Sequence, residues 1–369
     1  MELYVFNKQF EMIGIIDSFI SLIWTRNYYK AGTVELHVNL PQTDDEAIRT
    51  LQLLQKGNLL VKSDSSEEAA YIDSILLEDD ELEKGIVQGF FIDQLIGQRI
   101  VWGTQNKSGS VEEVMKYYVS QNCIEPENVN RVIPNLVLSQ NRSIETHANE
   151  SVSYKNLAEF METLANKHDV GWRILFDITN KQYIFDVFDG FNRTDEQFEN
   201  PRAIFALEYE NILNQTYSDS VRNYKNMALV AGEGEGSDRK IYSMNDDMTG
   251  FDRVEHYVDA RDLQSEIDGQ VLSNSEYQEL LKERGLSKLA ELQSIKTFEA
   301  GISLYSNLVY KQDFGLGDLV TIKNKRWGIQ LNTRITSIEE VYENDVVDIR
   351  VNFGNNIPTL IDNIKSRMG

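Results

Sequence analysis

Thr33-Val34-Glu35-Leu36-His37-Val38-Asn39-Leu40 sets the reading of the N-terminal part of the chain. Its apolar residues fall at every second position. Val34, Leu36, Val38 and Leu40 therefore share one face of a strand, and Glu35, His37 and Asn39 share the other. Similar short runs stand at residues 3–6, 19–24, 59–62, 71–77 and 86–92. The acidic stretch at 77–85 reads as a solvated hairpin loop, and one short helix is expected at 44–54. Many short strands at this spacing predict an antiparallel barrel or sandwich.

After Trp102 the texture changes. Ser110-Val111-Glu112-Glu113 matches a capping box, and Val111, Val114, Met115 and Tyr118 follow at helical spacing. Leu157, Phe160, Met161 and Leu164 predict a second helix. The runs at 172–177 and 182–189 predict two strands paired across Ile178-Thr179-Asn180-Lys181. From Ala203 the β pattern resumes, then gives way to a charged helix that opens at the capping box Ser273-Asn274-Ser275-Glu276. Gly285 is expected to break that helix. Val347, Ile349, Val351 and Phe353 alternate with polar residues in a closing strand.

The chain is thus expected to be a β-rich α+β protein with two antiparallel β-barrel-like domains. The expected division is a β-barrel domain over 1–104, an α+β domain over 105–202, and a second β-barrel domain over 203–250 and 295–355. A helical insertion over 251–294 and a C-terminal helix over 356–369 complete it. No short-period repeat is visible, but the β, α+β, β order suggests two barrels sharing one chain.

The 369 residues, at about 150 per domain, allow two or three domains. With 36 Lys+Arg against 59 Asp+Glu the net charge is -23, which opposes the phosphate neutralisation that nucleic-acid binding needs. An anionic membrane surface repels the chain for the same reason. No basic and then apolar leader opens the sequence, and no apolar run approaches the roughly 20 residues of a membrane span. Synthesis in the cytoplasm is the expectation. The single cysteine, Cys123, rules out an intrachain disulfide and reads as a buried small residue.

Few motifs carry chemistry. The histidines, His37, His147, His168 and His256, form no zinc-binding spacing, and His168 suits the end of a helix as a cation. Gly232-Glu233-Gly234-Glu235-Gly236 is glycine-rich, but its glutamates would repel a phosphate, so it reads as a turn. Asp313-Phe314-Gly315 copies a kinase triplet without the accompanying catalytic loop. Asn245, Asp247, Thr249 and Gly250 follow the start of a calcium loop. The closing glutamate would fall at His256, however, and the nearest is Glu255. No catalytic residue, cofactor or metal is therefore expected.

Several stretches in order resemble a known family. They are Gly14-Ile15-Ile16-Asp17, then Leu22-Ile23-Trp24-Thr25-Arg26-Asn27-Tyr28-Tyr29 with Gly32, and the run Ala231-Gly232-Glu233-Gly234-Glu235-Gly236-Ser237-Asp238-Arg239. Phe314-Gly315-Leu316-Gly317-Asp318-Leu319-Val320 and the closing stretch from Arg334-Ile335-Thr336 to Phe353-Gly354 complete the set. Together they are similar to the siphophage baseplate hub, or tail-associated structural protein, over about residues 1–355. The resemblance implies structural signature positions at Trp24, Arg26, Gly32, Gly232, Gly234, Gly236, Gly317, Asp318 and Gly354.

It also implies a homotrimer at the virion tail tip, assembled in the bacterial host cytoplasm. In that arrangement two barrels per chain make six similar units that sit on a hexameric tail tube. The implied partners are a distal tail protein, other tail or baseplate proteins and the tape-measure protein, with DNA only in transit. The acidity would then keep passing DNA from sticking to the channel wall. Relatives often continue into a peptidoglycan hydrolase or receptor-binding region, whereas this chain ends about 15 residues after Gly354. A tail-associated peptidoglycan hydrolase and a carbohydrate-binding adhesin using some of the 17 tyrosines and 4 tryptophans are the alternative expectations.

Overall fold

The computed structural model describes residues 1–40, 43–79, 83–267, 270–303, 306–343 and 346–354. The expected C-terminal helix at 356–369 and the tip of the acidic hairpin at 80–82 lie outside the described residues. The first segment supplies β1 (Leu3–Phe6), β2 (Met12–Ile16), β3 (Ser21–Asn27), β4 (Thr33–Asn39), helix α1 (Asp44–Leu53), β5 (Leu59–Lys62), β6 (Ser65–Asp79) and β7 (Glu83–Phe91). A 3-10 turn at Ile92–Gln98 leads into β8 (Thr104–Ser110), α2 (Val111–Val119), β9 (Leu136–Leu138), β10 (His147–Ser153), α3 (Leu157–His168), β11 (Gly171–Asp177) and β12 (Gln182–Phe188). Next come β13 (Ile204–Ala206), β14 (Ile212–Ser220), β15 (Met227–Ala231), β16 (Ile241–Met244) and β17 (Glu255–Asp259). Two-residue strands β18 (Glu266–Ile267) and β19 (Gln270–Val271) precede α4 (Asn274–Ala290). The last strands are β20 (Ile295–Ile302), β21 (Leu319–Asn324), β22 (Ile329–Glu343) and β23 (Val346–Gly354).

The alternation in β4 does what its period requires: Val34, Leu36 and Val38 are buried, and the residues between them are not. Both expected capping boxes form. Ser110 accepts from the Glu113 backbone N–H at the start of α2, and Ser273 does the same from Glu276 at α4. β11 and β12 pair from Asp177↔Gln182 to Gly171↔Phe188, across the expected turn. β9 adds a parallel third strand to β12.

The chain is β-rich α+β as expected, but the ladders close neither half into a barrel among the described residues. Thirteen strands from both halves form one open sheet, ordered β14-β20-β23-β22-β3-β4-β7-β6-β5-β1-β2, with β13 and β21 attached at β22. The cause is the length of β22. Its first part pairs with β21, while Ser337–Glu343 pairs with the whole of β3 instead of curling back on its own half.

Inside this sheet one four-strand unit occurs twice. Numbered by chain order, β3, β4, β6 and β7 lie side by side as first-second-fourth-third, and so do β14, β20, β22 and β23. The third strands, β6 and β22, are each 15 residues long, and the fourth strands, β7 and β23, are each 9. Each long third strand takes a short partner, β5 or β21, along its first part. Both then carry the same one-residue bulge. Ile72↔Gly89 is followed by Ser74↔Gln88, and Ile335↔Phe353 by Ser337↔Asn352. Asp73 and Thr336 are the extra residues.

Other readings need amendment. The span 251–294 holds β17 as well as α4, and β17 joins β15 and β16 in a separate three-stranded sheet. Val230, Met244 and Val258 of that sheet pack with Leu281 of α4 in their own core. Gly285 does not break α4. It lets the helix close on β15, since a Cβ there would lie 2.9 Å from Val230 Cγ2. The first and middle segments also share a core, in which Phe6, Phe10, Tyr28 and Tyr29 pack with Tyr118, Phe160, Trp172 and Phe176.

Candidate functional site

The joint between β3 and β22 carries a dense buried polar cluster and six of the nine expected signature residues. Alternation on β3 turns Leu22, Trp24 and Arg26 inward together. The buried Trp24 lies 4.8 Å from Phe91 between ring centroids, and its indole N–H donates to Glu68 at 3.2 Å. Arg26, two residues on, donates through two nitrogens to Glu68. It also donates to Glu340 at 2.7 Å and to the Tyr310 hydroxyl at 3.0 Å.

Glu340 receives Lys62 on its other oxygen, and Tyr342 donates its hydroxyl to that oxygen at 2.6 Å. The Lys62 ammonium lies 5.5 Å from the Trp24 ring and 5.1 Å from the Tyr342 ring. The result is two cations and two carboxylates in one buried cluster, contributed by β3, β5, β6 and β22. Burial opposes charge at Glu340, but Arg26 and Lys62 outweigh it and hold its carboxyl down at about 2. Burial, with Arg26 adding, pulls Lys62 below its ordinary value, while Glu340 opposes the fall. Such a cluster fixes which strands meet, because any other pairing strands a charge away from water.

On the far side of the joint, Tyr28 threads between backbones. Its hydroxyl donates to Asp189 at 3.1 Å, and a Cβ placed on Gly171 or Gly317 would lie 2.4 Å from its ring. Gly317 also sits at φ +88, so its lack of a side chain is required twice over. Asp318 next to it accepts from the backbone N–H of Phe191 and Gly315 and from Arg193 Nε, at 2.8, 2.9 and 2.8 Å. That carboxylate ties the end of the middle segment to the start of β21. Arg334 of β22 pairs with Asp169 at 2.6 Å and Asp189 at 3.2 Å, and its guanidinium lies 5.1 Å from the Tyr28 ring.

Gly32 admits β4 close to β3: a Cβ would come within 2.5 Å of the Thr25 carbonyl oxygen. Gly354 ends β23, where its carbonyl accepts from the Thr336 hydroxyl at 2.6 Å. The bulge residue Thr336 in turn accepts from the Tyr28 backbone N–H at 2.9 Å. Trp24, Arg26, Gly32, Gly317, Asp318 and Gly354 therefore surround one joint.

The remaining three do not. Gly232, Gly234 and Gly236 follow β15 in the small sheet, where a Cβ on Gly232 would meet the Tyr277 hydroxyl at 2.3 Å. Glu233 between them is a clamp for the loop rather than a phosphate repeller alone. Hydrogen bonds from Lys240 and Ser265 hold its carboxyl down at about 2.

The calcium-like stretch is structural in its contacts. Asn245 donates to the Asn226 carbonyl at 2.7 Å, and Asp246 pairs with Arg253 at 2.8 Å. Among the described residues no group of three or more His, Cys, Asp or Glu is placed to hold a metal. Cys123 is buried, and desolvation pushes its thiol up to about 12, far from a thiolate at neutral pH.

Sequence reasoning missed Lys62, Glu68 and Glu340, and it quoted Tyr28 and Arg334 only within longer stretches, with no role given to either. Lys62 only follows the apolar run Leu59-Leu60-Val61 and precedes the polar Ser63-Asp64, so in sequence it reads as the solvated end of a strand. It missed Asp93 as well. This residue is 5% exposed and accepts from the Ile174 backbone N–H at 2.6 Å, bridging the 3-10 turn to β11. Burial pushes its carboxyl up to about 7, with Glu68 adding and Arg173 opposing.

A carboxyl raised on folding contributes stability that is complete below its unfolded value of about 4 and is lost as pH rises through the folded value. The native protein is accordingly expected to lose stability between about pH 4 and pH 7, and Asp93→Asn is expected to flatten that slope. Thermal midpoints of both proteins across this range check it, and parallel curves would count against the assignment.

No curated protein matches this sequence. The fold is similar to that of the 43 kDa tail protein of prophage MuSo2 from Shewanella oneidensis, at 10% identity and TM-score 0.58, covering 96% of this chain and 98% of that one. It is similar to a tail protein from Neisseria meningitidis MC58, at 11% identity and TM-score 0.56, covering 96% of each chain. Prophage tail protein gp18 from Listeria monocytogenes EGD-e aligns at 12% identity and TM-score 0.53 over 100% of both chains. At these identities the likeness is one of fold. The sequence itself matches a family pattern over residues 2–355, a span that includes all nine expected signature positions, and on that match the chain belongs to the Siphovirus ReqiPepy6 Gp37-like protein family.

Proposed function

We propose that this tail protein is a hub that closes the distal end of a siphophage tail tube as a homotrimer and opens to let DNA pass. The observation that carries the reading is the doubled unit. Each chain holds two copies of one four-strand arrangement set head to tail, so three chains present six alike units. A ring of six matches a sixfold tube, while the chain itself repeats only three times. Heterologous joints of this kind close into rings when the rotation per unit allows.

Its working surroundings are then the virion tail tip, with the distal tail protein, other baseplate proteins and the tape-measure protein as neighbours. The domain division and the signature residues take their roles from the same reading. Trp24, Arg26, Gly32, Gly317, Asp318 and Gly354 hold the two units together, and Gly232, Gly234 and Gly236 shape the inserted sheet. The net charge of -23 suits a channel that must release what it passes. Native mass measurement of the purified protein and of assembled tails is expected to give three copies. A strict monomer in both overturns the reading.

A further inference from the structure

We propose that copies of this chain join by strand pairing between the outer half of β6 in one copy and β14 in the next, in the register of the internal β22–β3 joint. This rests on the hub reading and adds to it the surface through which copies meet. Within the chain, the third strand of one unit pairs with the first strand of the other: β22 with β3, from Ser337↔Asn27 to Glu343↔Ser21. The other third strand, β6, and the other first strand, β14, stand at opposite ends of the doubled unit. From Asp73 onward β6 has β7 on one side and no ladder partner on the other among the described residues, and β14 pairs only with β20.

The matched bulges fix the register. Ser74 corresponds to Ser337 because each follows the extra residue of its bulge. The ladders through the neighbouring strands make Trp24 correspond to Tyr217, since Trp24↔Val34↔Gly89 parallels Tyr217↔Phe298↔Phe353. Transferring the internal joint then sets Ser74 opposite Ser220, Ile75 opposite Asp219, Leu76 opposite Ser218, Leu77 opposite Tyr217 and Glu78 opposite Thr216.

Three features of the two edges suit this pairing. Leu76 and Leu77 are 55% and 51% exposed, whereas their counterparts Glu339 and Glu340 are covered by β3 and only Glu339 stays part-exposed. An exposed apolar edge with free N–H and C=O groups is a template for another strand. In a chain this acidic, no like charges stand directly opposite in the transferred register, and Leu77 meets an aromatic ring. The partner is a second copy, because the internal joint already shows that this kind of third strand accepts this kind of first strand.

The test is a cysteine pair. In the internal joint the template positions Glu339 and Thr25 stand directly opposite, where Cβ atoms of antiparallel strands lie about 4.5–5.5 Å apart, so Leu76→Cys with Ser218→Cys places two thiols within bridging reach between copies. Mild oxidation of the full chain is expected to give a covalent ladder that ends at three, with Cys123 buried and unreactive. Each single variant is expected to give no ladder.

Mixing the two single variants provides a second arm, expected to yield covalent dimers that neither gives alone. A trimer by native mass that fails to cross-link in both arms overturns this joint while leaving the hub reading intact. A monomer by native mass overturns both.

Discussion

Glu340→Ala is expected to destabilise the protein by about 3–5 kcal/mol, since removing one member of a buried ion pair leaves its partners charged and unsolvated. Here Lys62 loses its buried carboxylate, and Arg26, at 2.7 Å from Glu340, is left with Glu68 alone. The size of the loss comes from the cations left behind more than from the attraction removed. The double variant Lys62→Met with Glu340→Met is therefore expected to recover much of the stability, because Arg26 keeps Glu68 and the Lys62 stem is replaced by an apolar one of similar length. Urea midpoints of the single and double variants measure this directly. A double variant as unstable as the sum of its singles would mean that the four charges do not act as one unit.

Gly317→Ala is the second substitution expected to be severe. The backbone at φ +88 costs a residue with a side chain about 1–2 kcal/mol. The new methyl would also stand 2.4 Å from the Tyr28 ring, an overlap that typically costs about 1–3 kcal/mol to relieve. The ring cannot withdraw easily. Gly171 bounds it too, and its hydroxyl is held at Asp189. The loss is expected to shrink when Tyr28 is replaced by leucine in the same chain, which thermal unfolding of the single and double variants would reveal. An unchanged loss would place the strain in the backbone alone.

Much of the local structure was legible because its causes are local. The period in β4, the capping boxes at Ser110 and Ser273, and the hairpin from Asp177 to Gln182 each depend on residues within one turn or one ladder rung. Gly285 was misread because propensity describes an isolated helix, and here contact with Val230 outweighs it. The joint was illegible for a different reason. From Ile335 to Tyr342, β22 is buried on both faces except at Glu339, so its alternation no longer separates inside from outside and Glu340 reads as solvent-facing.

Nor did the doubled unit show. Ser21–Asn27 and Ile212–Ser220 share a place in the sheet but little sequence, and the small sheet with α4 separates β14 from β20. The structural purpose of the expected signature glycines was not legible either. What Gly32 and Gly317 make room for, the Thr25 carbonyl and the Tyr28 ring, lies far along the chain or across a strand.

The doubling of the four-strand unit has a consequence for how a ring could form. In a ring of six separate units, every contact depends on encounter in dilute solution. When two units share a polypeptide, the contact between them closes at an effective concentration on the order of millimolar, whatever the dilution around it. Half of the contacts in a six-unit ring are then made as each chain folds. The assembly becomes third order in chains instead of sixth order in units, and far fewer open-ended partial rings accumulate. For an object built a few copies at a time inside a cell, tethering the units in pairs shifts the difficult part of assembly from meeting to folding.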